Sequence, residues 1–179
     1  MSVPSLTLLR WQFDLTWSLF EYHLERLETA DFLWQPTTHC WSVRPGSDGS
    51  WTPDWADTEP DPAPVPTISW LTWHIGWWWT VTMDHLRQRT PRQRTDVEWP
   101  GAGEPTVAWL RDLRTEWQAL LDGLSDVDLD GTAPFPWQDE TDHTVTHMIG
   151  WVNSELMKNA AEIGQLRLLH AARTYARTS

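Results

Sequence analysis

The chain has 179 residues, a net charge of −12 and 16 tryptophans. That length fits one domain, residues 1–179, with enough chain to bury a core without a structural metal or disulfide. The acidic balance excludes nucleic acid and an anionic membrane as partners, since both need a basic footprint.

The first helix is predicted from about Leu6 to Glu28. Leu9, Phe13, Trp17, Phe20, Leu24 and Leu27 recur there at three- and four-residue steps. About 36 residues follow before the next helix, a length that marks a functional cover or disorder. Trp34, Trp41, Trp51 and Trp55 argue for order, because a disordered segment would leave them in water. The segment is expected to fold over one end of the helices, with Ser47-Asp48-Gly49-Ser50 as a tight turn. Its proline-rich end forbids helix before Thr67, which is placed as the N-cap of a second helix running to about Arg89. That helix is apolar almost all round and should be the most buried. A third helix is predicted from about Pro105 to Leu124, with Val107, Leu110, Leu113, Trp117, Leu120 and Leu124 as its stripe. The fourth runs from about Asp142 to Ala176, with Val145, Ile149, Val152, Leu156, Ile163 and Leu166 facing the core. No segment shows strand alternation. The expected fold is an all-α four-helix bundle with a long ordered loop between helices 1 and 2.

The lone cysteine, Cys40, excludes a disulfide scaffold and a Cys-rich zinc module, and suits a reducing, cytoplasmic compartment. The N-terminal residues carry no signal-peptide pattern, and no stretch approaches the ~18–20 apolar residues of a membrane span.

Bundles build ligand sites from polar side chains on their core faces. The second helix places His74 in line with Trp70, Trp77 and Val81. On the fourth helix, at about 100° per residue, Glu155 and Asn159 fall at the border of the apolar face and stack at i, i+4. Two readings stay open from the residues alone. One is a buried hydrogen-bonded cluster in which Asn159 and His74 satisfy each other or the backbone and Glu155 pairs with Lys158. The other is a metal site, since imidazole and carboxylate suit Zn, Ni, Mn or Fe, although an amide oxygen is an unusual zinc ligand.

The runs DFLWQP, CWSVR, TISWLTWHIGWWW and WVNSELMKNAAEIGQLR resemble the DinB-like superfamily, from about Trp11 to Arg167. That group includes the mycothiol-dependent maleylpyruvate isomerases and related thiol-dependent transferases. The resemblance implies an up-down-down-up four-helix bundle, a homodimer and a divalent metal held by three ligands. On this chain they fall on His74, Glu155 and Asn159, with Asn159 where the family usually has His. It further implies catalysis through His74 and Glu155 on a small molecule, with a low-molecular-weight thiol as partner. The metal would act as a Lewis acid that lowers the pKa of a bound thiol or water. Without metal, His74 would be a base or hydrogen-bond donor oriented by Glu155. A metal-free binding or structural dimer with a lapsed triad is the alternative.

Trp41, Arg44, Trp77 and Lys158 are candidate substrate-binding residues. For Arg44, a carboxylate ligand competes with a salt bridge to a nearby Asp. For Lys158, a role beside the site competes with surface pairing to Glu155 or Glu162. Ser154 with Lys158, Cys40 beside His39, and the His143/His147 pair are weaker candidates, since none has the surroundings its chemistry needs. The five tryptophans between Trp70 and Trp79 cover several helix faces, so some are expected to meet the long loop or a second subunit.

Overall fold

The computed structural model describes residues 4–137 and 142–178. Four helices of 19 residues or more dominate them: α1 (Ser5–Leu24), α3 (Ile68–Leu86), α4 (Glu104–Asp122) and α6 (Val145–Thr178). Two short helices, α2 (Thr29–Phe32) and α5 (Asp126–Asp130), precede α3 and α6 respectively. None of the described helices is long and apolar enough to cross a membrane.

Cross-helix contacts give the directions. Arg10 meets Asp122, Gln118 meets Asp14 and Arg111 meets Glu21, so α1 and α4 are antiparallel. The Asn153 amide donates to the Leu9 carbonyl at 2.9 Å, while Gly164 lies against His23, so α1 and α6 are parallel. Gly76 abuts Trp109 and Arg87 pairs with Glu116 at 3.0 Å, so α3 and α4 are parallel. Side chains of all four long helices fill one core, including Phe13, Phe20, Trp79, Trp117 and Leu156.

The helix ends have local causes. α1 stops four residues before the predicted Glu28 because its last turn tightens: Arg26 and Leu27 N–H bond to His23 and Leu24 carbonyls, one residue short of the α-helical partner. Glu28 then turns extended and α2 begins, with the Asp31 carboxylate accepting from the Glu28 N–H at 2.8 Å. Leu27 keeps the apolar register, so periodicity carries no sign of this break. Thr67 does cap α3, its hydroxyl accepting from the Trp70 N–H. Helix α3 ends at Leu86, before the predicted Arg89, because Gln88 adopts a left-handed φ of 54°. Pro105 lies in the first turn of α4, as expected. Helix α6 starts at Val145, three residues after the predicted Asp142, since Thr144 is held in a bridge to Thr132.

The segment between α1 and α3 corrects the reading that no strands are present. Strand β1 (Cys40–Trp41) pairs in parallel with β4 (Val65–Pro66), and β2 (Val43–Pro45) pairs antiparallel with β3 (Trp51–Pro53) around the turn at Gly49, whose φ is 85°. Strands of two or three residues are too short to show alternation.

Candidate functional site

The long connection lies along the N-terminal half of α3. A buried hydroxyl cluster ties them: the Thr67, Ser69 and Ser42 oxygens lie 2.8–3.3 Å apart. Trp70 donates its indole N–H to the Asp54 carbonyl at 2.8 Å, and Trp73 donates to the Val97 carbonyl at 3.0 Å. Trp41 stacks on Trp70 with centroids 5.0 Å apart, and Trp55 meets Trp77 edge-on at 5.2 Å. The crowded tryptophans of α3 are therefore covered by the connection or the core. The exposed tryptophan is Trp11 on α1, at 61 % exposure.

His74 projects from this aromatic wall. Trp70 stacks on its ring at 4.7 Å and 14°, and Trp77 lies tilted at 5.8 Å. Its Nδ1 is buried without a hydrogen-bond partner. Burial, and then the positive charge of Lys158, push its pKa from the ordinary 6.5 down to about 4, so the imidazole is neutral at physiological pH.

Helix α6 supplies the facing groups. Lys158 Nζ lies 2.7 Å from the half-buried Glu155 carboxylate, the i, i+3 pairing foreseen from spacing. Asn159 is buried, and both ends of its amide are engaged. Its Oδ1 accepts from Trp78 Nε1 at 3.3 Å, and its Nδ2 donates to Glu162 at 3.0 Å. Among the described residues no group of three or more His, Cys, Asp or Glu is placed to hold a metal. A groove of about 470 Å³ between β4 and α6 has Val65, Pro66, Glu162, Gln165, Leu166 and Leu169 in its lining. Glu162 joins this groove to Asn159.

The structure thus brings His74, Trp77, Glu155, Lys158 and Asn159 to one region of α3 and α6, with Trp41 one ring away through Trp70. It does not bring Arg44 there. The Arg44 guanidinium binds Asp54 with two bonds of 2.8 and 2.7 Å, the salt-bridge alternative. Ser154 donates to the Gly150 carbonyl and forms no dyad with Lys158. Burial first of all raises the Cys40 thiol pKa, the opposite of an activated nucleophile. His147 Nδ1 accepts from the Thr144 N–H at 3.0 Å, a cap at the start of α6. Trp55, Trp70, Trp78 and Glu162 belong to the region but are not among the site residues expected from the sequence. Glu162 had a signal, the i+3 step from Asn159 (the same step that couples Glu155 to Lys158). Trp78 had none beyond its place in a tryptophan run.

The family model of the DinB superfamily matches residues 12–163, which carry the greater part of α1, all of α3 and α4, the connection and the polar centre on α6. Comparison with curated proteins and with solved structures finds no match. The matched span is most of the chain, and the chain belongs to the DinB superfamily.

Proposed function

We propose that this chain binds a small molecule at a metal-free polar centre made of His74, Glu155 and Lys158 and walled by Trp41, Trp70 and Trp77. We read its four long helices as the family's up-down-down-up bundle, with the ordered connection as cover, in a cytoplasmic protein. One observation carries the metal-free reading: both ends of the Asn159 amide are spent on Trp78 and Glu162. The third ligand position therefore offers a metal only the second lone pair of a buried amide oxygen that already serves the core, a weak ligand. A cation already sits at the centre, the Lys158 ammonium on Glu155, and it repels a divalent ion. The residues present do not fit the family's metal.

What remains suits a neutral partner for a hydroxyl or thiol. His74 is uncharged, and one ring nitrogen of a neutral imidazole accepts a hydrogen bond. The aromatic wall supplies apolar area for the body of a small ligand. Lys158 supplies a positive charge at the rim. We also propose a homodimer through α1. Its outer face presents Leu8, Trp11, Leu15, Leu19 and Tyr22, each 45 % exposed or more, as one stripe.

Metal analysis of protein purified without a His tag, then reconstituted with Zn2+, Ni2+ and Mn2+, tests the reading. No stoichiometric metal is expected. Stoichiometric metal that disappears in a folded His74→Ala variant would overturn it. Titration with N-acetylcysteine, followed by tryptophan fluorescence, tests the thiol preference. A saturable change lost in His74→Ala is expected, and no change in the parent protein would refute it.

A further inference from the structure

A second cleft lies where α2 meets the C-terminal part of α6, apart from the His74 centre. It encloses about 380 Å³ and its lining includes Arg26, Glu28, Asp31, Arg167, His170 and Tyr175. Asp31 is its anchor. The carboxylate is buried, with one oxygen on the Glu28 N–H at 2.8 Å and the other 2.6 Å from His170 Nδ1. A carboxylate only accepts, so Nδ1 carries the hydrogen and Nε2 is left for a ligand. Trp34 stacks on the imidazole at 4.9 Å and 21°, which holds the plane of the ring.

Two guanidinium groups flank it. Arg26 lies over the Tyr22 ring at 3.9 Å and reaches Glu25 at 3.3 Å. Arg167 enters none of the ion pairs among the described residues, and its Nε is buried without a hydrogen-bond partner. A guanidinium is always charged, so burying part of it unpaired is costly unless an anion completes it. This occurs in a chain of net charge −12, where carboxylates outnumber cations almost two to one. Arg167 nevertheless faces a cleft beside an imidazole braced by Asp31.

We propose that this cleft binds a phosphate group, free or on a small molecule, through Arg167 and Arg26 with His170 Nε2 as the third contact. A guanidinium fork matches two oxygens of a tetrahedral oxyanion. Phosphate loses its second proton near pH ~6, so around neutrality it carries both P–O⁻ and P–OH. It satisfies Nε2 whether the ring offers a lone pair or an N–H. Sulfate and acetate present acceptors only. Glu28 at the rim opposes the anion and keeps the affinity modest.

Titration of the full chain with inorganic phosphate, observed at the His170 ring nitrogens and Arg167 Nε by NMR, tests the site. A saturable shift at both residues is expected. Arg167→Gln should weaken binding about tenfold or more and Glu28→Gln should strengthen it, while sulfate and acetate should bind about tenfold more weakly than phosphate. Methyl phosphate binding as well as inorganic phosphate supports an ester ligand; binding of inorganic phosphate alone supports the free ion. No saturable shift, equal binding of sulfate, or full affinity in Arg167→Gln overturns the proposal. Should Arg167→Gln not fold, Arg26→Gln and Glu28→Gln replace it, and unchanged affinity in both overturns the site.

Discussion

Trp78 donates its indole N–H to the side-chain carbonyl of Asn159, joining α3 to α6 inside the core. The bond gives the buried Asn159 amide a structural role. Asn159→Leu keeps the volume but strands the buried indole N–H, and should cost about 1–3 kcal/mol in urea unfolding. Trp78→Phe should likewise destabilise by stranding the carbonyl. The double variant should lose less than the two single losses added together, because neither polar group is then left alone. Strict additivity would show that the bond contributes nothing.

His74 makes stability depend on pH with a defined sign. Its folded pKa is about 4 against an ordinary 6.5. Between those values the unfolded chain binds more protons than the folded one, so stability falls as the pH drops from 6.5 toward 4. The loss from this residue is at most about 3 kcal/mol, less to the extent that water reaches the ring. His23 and His85, also lowered chiefly by burial, act in the same direction. His74→Gln should flatten part of the slope in thermal melts across this window. A slope identical to that of the parent protein would refute the assignment.

Asp84 at the end of α3 is buried, with its side chain 4 % exposed, and it is held by Arg92. Burial alone would raise its carboxyl pKa, but hydrogen bonds from the Arg92 side chain and backbone, with the charges of Arg92 and Arg89, hold it below the usual range. Arg92→Ala should cost about 2–4 kcal/mol because it leaves a buried carboxylate underpaired. Adding Asp84→Asn should recover part of that loss, measured by chemical denaturation.

Gly76 of α3 packs directly against the Trp109 ring of α4. A Cβ built there would stand 1.7 Å from Cη2 of Trp109. Gly76→Ala should destabilise by about 1–3 kcal/mol or more despite its better helix propensity, since the indole must move. Adding Trp109→Leu should relieve the clash, and a stable Gly76→Ala single variant would refute the packing argument.

The α1 stripe predicts the assembly. The protein should sediment as a dimer at micromolar concentration, and Trp11→Glu with Leu15→Glu should shift it to monomer without loss of helix content. A monomeric parent protein would remove α1 as an interface.

Much of the bundle was legible in the chain. The stripes on α1, α3, α4 and α6 repeat at helical steps, and burial of one helix face is a property of neighbours three and four residues apart. Thr67 and Pro105 mark starts for the same local reason. The Glu155–Lys158 pair also follows from spacing on one helix. What spacing could not reach were relations between elements. The tightened end of α1 depends on Asp31 holding the Glu28 N–H. The strands in the connection arise from partners up to 25 residues apart, such as Cys40 with Val65.

The 16 tryptophans and the charge of −12 were readable at once as an aromatic core in an acidic chain. Periodicity also placed His74 on the apolar face of its helix and Glu155 and Asn159 at the border of the apolar face of theirs, because a helix face is a one-dimensional property. Whether Asn159 serves a ligand or an indole, whether Arg44 reaches out or closes on Asp54, and which tryptophan stays in water depend on which atoms of distant segments come within bonding distance. Those choices belong to folding in three dimensions, where each buried polar group takes whichever partner the packing presents.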